Sequence, residues 1–374
     1  MNKPHIFNRF LAPGFAALAL FSSPFVTEAQ TAYQQSNLVS DIPGLANRTD
    51  PNLVNPWGIS FSPTSPMWVS NAGTGTSTLY ATGGVPQAMV VTVPNPAGGL
   101  ASPTGQVFNG GTAFNSDRFL FATEEGTIAG WRGGLGTTAE TLLNRSSFGA
   151  IYKGLAISTI ATSTYVYAAD FHNNHIDILA SGGAPALSGS FIDPTLPAGF
   201  AAFNIQNLAG KLYVTYAMQD ADAEDDVAGP GLGYVSIFDL NGVFQQRLIS
   251  GGALNAPWGV ALAPAGFGPL GGDLLVGNFG DGRINAYNPL TGTFVDTLRD
   301  STGNPLVNRG LWGITFGNGG NGGDLNTLYF AAGIQREEHG LFGSIGAVPE
   351  PATYGIAGAL ALAGAVLWRR RRKG

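Results

Sequence analysis

Asn55-Pro56-Trp57-Gly58-Ile59-Ser60-Phe61 returns as Ala256-Pro257-Trp258-Gly259-Val260-Ala261-Leu262, and again as Leu311-Trp312-Gly313-Ile314-Thr315-Phe316. Weaker copies are Ser102-Pro103-Thr104-Gly105-Gln106-Val107-Phe108, Lys153-Gly154-Leu155-Ala156-Ile157 and Phe203-Asn204-Ile205-Gln206. With Gly58, Gly105, Gly154, Asn204, Gly259 and Gly313 taken as equivalent, the spacings are 47, 49, 50, 55 and 54 residues. That is the length of one four-stranded propeller blade. Each copy is followed by a second β-rich run, a polar loop and a third run. The expected fold is all-β: a six-bladed β-propeller of four-stranded blades over residues 30–346, with a seven-bladed ring as the competing count. Fourth strands are expected at Gln87–Val93, Glu140–Leu143, Leu187–Ile192, Gly242–Leu248 and Gly292–Leu298. The sixth copy has none. Tyr33–Ser40 is placed to supply it, which would close the ring and remove the last open sheet edge. Glycine follows the aromatic because inner strands crowd together, and a residue without Cβ lets backbones approach. The aromatic itself is expected to wedge between blades.

The ends of the chain read differently. Lys3 and Arg9, the apolar run Phe10–Phe21 and the small-residue site Thr27-Glu28-Ala29 make residues 1–29 a signal peptide. At the other end, residues 347–351 form a linker around Pro349-Glu350-Pro351. An apolar helix from 352 to 368 then spans roughly 25 Å, near the lower limit for crossing a bilayer. Arg369, Arg370, Arg371, Arg372 and Lys373 in the tail 369–374 hold that end in the cytoplasm under the positive-inside rule. This order resembles the PEP-CTERM sorting signal of Gram-negative bacteria. The resemblance implies an exosortase as partner, a transient stay in the inner membrane, and a final place in the cell envelope or outside it. The chain has no cysteine, so a lipoprotein anchor, disulfides, thiolate zinc sites and covalent c-type haem are excluded.

Composition narrows the partners. Of 18 basic and 24 acidic residues, seven and two lie in the two end segments. Residues 30–346 therefore keep 11 basic and 22 acidic groups, a formal charge of −11. Such a surface is unsuited to a phosphate backbone, so nucleic acid is not an expected partner. Cations, neutral glycans and small molecules fit better. The 55 glycines and 23 prolines carry no collagen period and mark many tight turns.

Loops entering inner strands and loops joining second to third strands share one face of a propeller. On that reading Asn55, Trp57, Asn71, Glu124, Glu125, Asp170, His172, Asn204, Asn255, Asn278, Asn308 and Glu337 are candidates for a channel-mouth binding site. Oxygen donors of this kind suit Ca²⁺ or Mg²⁺; Asp, Asn and Gly also dominate turns of any β protein. A second candidate for metal is Asp220, Asp222 and Glu224, in a run of five carboxylates within seven residues whose repulsion makes ordering costly without a cation. His172 and His175 lie three apart, with no further His or Cys nearby to complete a zinc site. His339 is a candidate base beside Glu337 and Glu338. Trp57, Phe203, Trp258 and Trp312 could stack on sugar rings, or pack between blades. No nucleophile elbow, P-loop or dinucleotide fingerprint stands in a strand–helix context.

Asn55-Pro56-Trp57-Gly58, the run Asn207–Val214, the run Asn278–Ile284 and Leu311-Trp312-Gly313 resemble an uncharacterised family of exported propellers that often carry PEP-CTERM tails. In architecture the chain is also similar to NHL-repeat and sugar-lactonase propellers. The resemblance implies fold and location but no catalytic residues. The expected role is a binding or scaffold protein of the envelope or extracellular matrix, with exopolysaccharide as a ligand. The alternatives are a divalent-metal-dependent hydrolase of the sugar-lactonase type, and a purely structural surface protein.

Overall fold

The computed structural model describes residues 32–348. The expected signal peptide, the Pro349–Pro351 motif, the expected apolar helix and Arg369–Arg372 lie outside the described residues. Among the described residues no helix is long and apolar enough to cross a membrane.

Among the described residues six sheets follow one another along the chain, antiparallel apart from the short pairing of Val39–Ser40 with Arg48–Thr49. Blade 1 contains Pro56–Ser60, Met67–Asn71, Thr76–Ala81 and Val85–Thr92. Blade 2 contains Pro103–Phe108, Phe119–Thr123, Thr127–Trp131 and Glu140–Asn144. Blade 4 contains Phe200–Leu208, Lys211–Gln219, Tyr234–Phe238 and Phe244–Ser250. Blade 5 contains Pro257–Leu262, Leu274–Asn278, Ile284–Tyr287 and Phe294–Thr297. The count is six, not seven.

Blade 6 closes the ring as its missing strand required. Leu311–Phe316, Leu328–Ile334 and His339–Ala347 are completed by Tyr33–Ser40, antiparallel to the last of them from Tyr33↔Ala347 to Ser40↔Leu341. Tyr33, Leu38 and Val39 are buried there, and the Tyr33 hydroxyl donates to the carbonyl of Phe267 at 3.1 Å.

Blade 3 departs from expectation. It has three strands, Tyr152–Ile160, Ser163–Asp170 and His175–Ala180. The run Leu187–Ile192 forms no strand. Its amides turn to the next blade instead: Gly189 N–H donates to Asn241 O and Phe191 N–H to Gly242 O, both at 2.9 Å. Two anchors explain the diversion. The Phe191 ring is buried against Tyr167 and Phe238. Two residues on, the Asp193 carboxylate is buried and takes hydrogen bonds from Arg247 Nε (2.8 Å) and Ser236 Oγ (2.7 Å) of blade 4. The apolar pattern of the run was legible; the partner it would choose was not.

Inner strands touch at backbone distance around the axis. A Cβ on Gly58 would stand 2.6 Å from Thr104 O, and one on Gly259 would stand 2.5 Å from Trp312 O. Gly313 faces Trp57 O in the same way, Gly105 faces Gly154 and Leu155, and Gly154 faces Asn204. At the one non-glycine position Asn204 places its amide where the others place a hydrogen, and Nδ2 donates to Trp258 O at 2.8 Å. The ring is thus a circuit of close approaches, each residue pressing on the carbonyl or backbone of the next copy.

Gly313→Ala should destabilise the fold by about 1–3 kcal/mol, because the added methyl has no space to enter. Gly133→Ala, exposed with nothing within 4 Å, should stay within about 0.5 kcal/mol of wild type. Urea unfolding of the two variants checks this, and equal midpoints would contradict the close-approach account.

Candidate functional site

Every inner strand slips register at the repeated motif. The shifts fall between Pro56 and Ile59, Pro103 and Gln106, Tyr152 and Gly154, Ala202 and Asn204, Pro257 and Val260, and Leu311 and Ile314. A bulge re-aims the side chain it carries. Here it turns the residue before each glycine, or before Asn204 in blade 4, toward the axis: Trp57, Thr104, Lys153, Phe203, Trp258 and Trp312.

The aromatics among these fill the channel. Trp57 and Trp312 stack with centroids 3.3 Å apart and planes 15° apart. Trp258 meets both edge-on at 5.9 Å, although blade 5 and blade 1 are not neighbours. Phe203 tilts onto Trp312 at 5.7 Å, and Phe279 stacks on its ring at 4.0 Å. The three tryptophans and Phe203 are buried, Trp57 to 1% and Trp258 to 4% exposure, and Phe279 is half-buried beside them. The expectation that they wedge between blades is corrected: they pack on one another at the axis. Trp258 also borders the cavity at the far end of the channel.

Lys153 is the exception in this ring, and charge gathers around it. Its Nζ lies 5.5 Å from the Trp57 ring centroid and is paired with Glu124 Oε1 at 2.5 Å and Asp225 Oδ1 at 3.0 Å. The lysine side chain is only 3% exposed. Burial opposes its charge, but Glu124 and Asp225 outweigh that and its pKa is raised. Asn55, in the left-handed conformation that asparagine tolerates (φ 46), ties the cap to the plug. Its Oδ1 accepts from Trp312 Nε1 at 3.1 Å and its Nδ2 donates to Glu337 Oε2 at 2.7 Å. Burial raises the Glu337 carboxyl, with Glu124 and Asp225 adding to the effect. Asp226 completes the group. Its Oδ2 is out of contact with solvent and has no hydrogen-bond partner. Burial first, then Glu337 and Asp225, push it up to about 7 against the pull of Lys153.

The sequence-derived set is therefore divided. Asn55, Trp57, Glu124 and Glu337 meet at this mouth, joined by Lys153, Asp225 and Asp226. Asn71 is buried and donates to Thr76 and Thr78 within blade 1. Asn255 accepts from Gly229 N, Asn278 donates to Ala253 O, and Asn308 pairs with Gln35 through both amides. Asn204 belongs to the inner ring. Glu125, His172 and Glu224 line a separate cavity of about 360 Å³ between loops of blades 2 and 3. Asp170 caps Ile151 and Asn173. His339 turns to Asp41, 2.6 Å away, not to the mouth.

The acidic run is ordered from within. Asp220 Oδ1 accepts from Glu224 N at 3.0 Å, and His172 Nδ1 lies 3.3 Å from Ala223 O. Asp222, Glu224 and Asp225 are exposed, Asp225 reaching Lys153 from the surface, and Asp226 lies deeper. Of this run, Asp225 pairs with Lys153. Among the described residues, the group of three His, Asp or Glu side chains whose donor atoms lie within 4.8 Å of one another is Asp170, His175 and Asp177.

The opposite end of the channel is open. It holds a cavity of about 420 Å³ lined by inner-strand residues beyond the glycines, including Ser60, Gln106, Ile157, Gln206, Asn207 and Thr315. None of its lining residues is ionisable. Sequence reading missed this end because it followed the loops where Asp and Glu gather. The available signal was the polar Gln206-Asn207 following Asn204-Ile205.

The chain is 34% identical over 334 residues to the uncharacterized protein R648 of Acanthamoeba polyphaga mimivirus, covering 85% of this chain and 81% of that protein. It belongs to the R648 family. A second member, L690 of the same virus, is 33% identical over 346 residues, covering 87% of this chain and 89% of its own. Both family members are uncharacterized, so membership brings no activity. Residues 347–372 match the PEP-CTERM protein-sorting motif, which implies export and transient anchoring through the C-terminus, with an exosortase as processing partner. In fold this R648 relative is similar to a glucose dehydrogenase (TM-score 0.52, 14% identity, 84% of this chain and 100% of that one). At that identity the likeness concerns the fold alone.

Asp226 makes a pH prediction. Its folded pKa lies above the ordinary 3.8, so the folded state holds the proton more tightly. Stability then falls as pH rises from about 4 to about 7, by up to a few kcal/mol. Asp226→Asn should flatten that part of the profile and be more stable than wild type above pH 7. Chemical unfolding at pH 4 to 8 measures the difference; parallel profiles would contradict it.

Proposed function

We propose that this protein is an exported, exosortase-sorted propeller that acts as a binding or scaffold component of the cell envelope or extracellular matrix, with a neutral glycan as ligand. One observation carries the reading: the open end of the channel is a 420 Å³ cavity whose lining has amides, hydroxyls and apolar side chains but no ionisable group. Such a lining can hydrogen-bond hydroxyls and pack on apolar sugar faces, and it offers no general acid or base. The sorting motif at 347–372 supports an envelope destination.

A hydrolase at the acidic mouth is less well supported. Its carboxylates are compensated by Lys153 rather than left converging on an empty point, and the rings of Trp57 and Trp312 close the channel beneath them. A purely structural role would leave the polar cavity without use.

Full-length protein in detergent should bind neutral exopolysaccharide fragments on a glycan array. Gln206→Trp should fill the cavity and abolish binding, and Gln206→Ala should weaken it about tenfold, the loss of roughly one hydrogen bond. Glu337→Gln at the far end should leave it unchanged. Absence of binding to any neutral glycan, or equal binding by Gln206→Trp, would overturn the proposal.

A further inference from the structure

Blade 3 carries a second concentration of chemistry, away from the channel. Asp170 and His175 are directly paired across the hairpin that joins its second and third strands. Asp177 is two residues beyond His175, so it lies on the same face of the strand. His175 Nε2 is 3.2 Å from Asp177 Oδ1 and 3.6 Å from Asp170 Oδ2. Two ligands at about 2.0–2.1 Å on adjacent corners of a tetrahedron stand roughly 3.3–3.4 Å apart. The two observed separations straddle that value, and the three donor atoms all lie within 4.8 Å of one another.

The carboxylates are held for such a task from outside the group. Tyr152 Oη donates to Asp177 Oδ2 at 2.5 Å, leaving Oδ1 turned to the histidine. Asp170 is 1% exposed; Oδ1 accepts from the amides of Ile151 and Asn173, and Oδ2 accepts from Asn173 Nδ2. Outer partners of this kind orient ligands and are part of a working metal site. His175 is 48% exposed, and its strand is the outermost of a blade with no fourth strand to cover it. A bound ion would therefore keep an open coordination position toward solvent.

We propose that Asp170, His175 and Asp177 bind one divalent transition-metal ion of the zinc class on the uncovered edge of blade 3. The imidazole favours such an ion over Mg²⁺ or Ca²⁺, which take oxygen ligands. The site is separate from both channel ends and does not depend on the glycan reading.

The test is calorimetric titration of chelator-stripped full-length protein in detergent with ZnCl₂. One zinc per chain is expected, with Mg²⁺ at equal concentration failing to compete. His175→Ala and Asp177→Asn should each weaken binding at least about tenfold, whereas His172→Ala should match wild type. His175→Gln keeps a hydrogen-bond donor between the aspartates, so loss of zinc in that variant with an unchanged near-UV spectrum assigns the loss to the ligand and not to the fold. Cobalt substitution should give the visible bands of a tetrahedral ion. No saturable zinc binding, zinc binding that survives in both His175→Ala and Asp177→Asn, or equal competition by Mg²⁺ would overturn the proposal.

Discussion

Six strands approach one axis so closely that five of them can carry no side-chain carbon at the point of contact. Gly58, Gly105, Gly154, Gly259 and Gly313 each face the backbone or inner-ring residue of the next blade, and Asn204 substitutes an amide that reaches Trp258 O. The close approach leaves the preceding residue nowhere to go along the strand. Each strand slips register there, and a bulge turns that residue inward. Three tryptophans, one phenylalanine, one threonine and one lysine thereby meet at the centre. Their sizes decide that the channel is plugged, and the plug decides that its two ends differ.

One end became a charged cap. A lysine among aromatic rings is costly unless paired, since a buried ion gives up its hydration. Lys153 recovers that cost through Trp57 below, Glu124 beside it and Asp225 from the loop above. The same pairing pins the acidic run, which would otherwise repel itself. Asp226 and Glu337 are drawn into the cap, where burial first and neighbouring carboxylates second raise their pKa values. The other end, lined by residues after the glycines, stayed open and neutral.

Much of this was legible from spacing. The 47-to-55-residue period set six blades, and the absence of a fourth strand after His339–Ala347 pointed to Tyr33–Ser40. The missed features share a cause. Leu187–Ile192 has a strand's apolar pattern, but Phe191 and Asp193 find better partners in blade 4, a choice made by distant residues. Trp57 and Trp312 read as wedges because a bulge leaves no mark in the pattern of types. Asn71, Asn278 and Asn308 read as convergent donors; each uses its amide nitrogen on neighbouring protein groups, while Asn71 Oδ1 and Asn278 Oδ1 are buried without a partner. Loop membership identifies a face; it does not say which polar atoms remain free.

The account stands on the asymmetry of the channel, and a crystal structure of the protein with a bound neutral oligosaccharide tests it directly. The sugar should lie between Ile157, Gln206 and Thr315, with Trp57 and Trp312 still stacked and Lys153 still bound to Glu124 and Asp225. Sugar density on the Lys153 face, or tryptophans displaced to admit a ligand from that side, would contradict it.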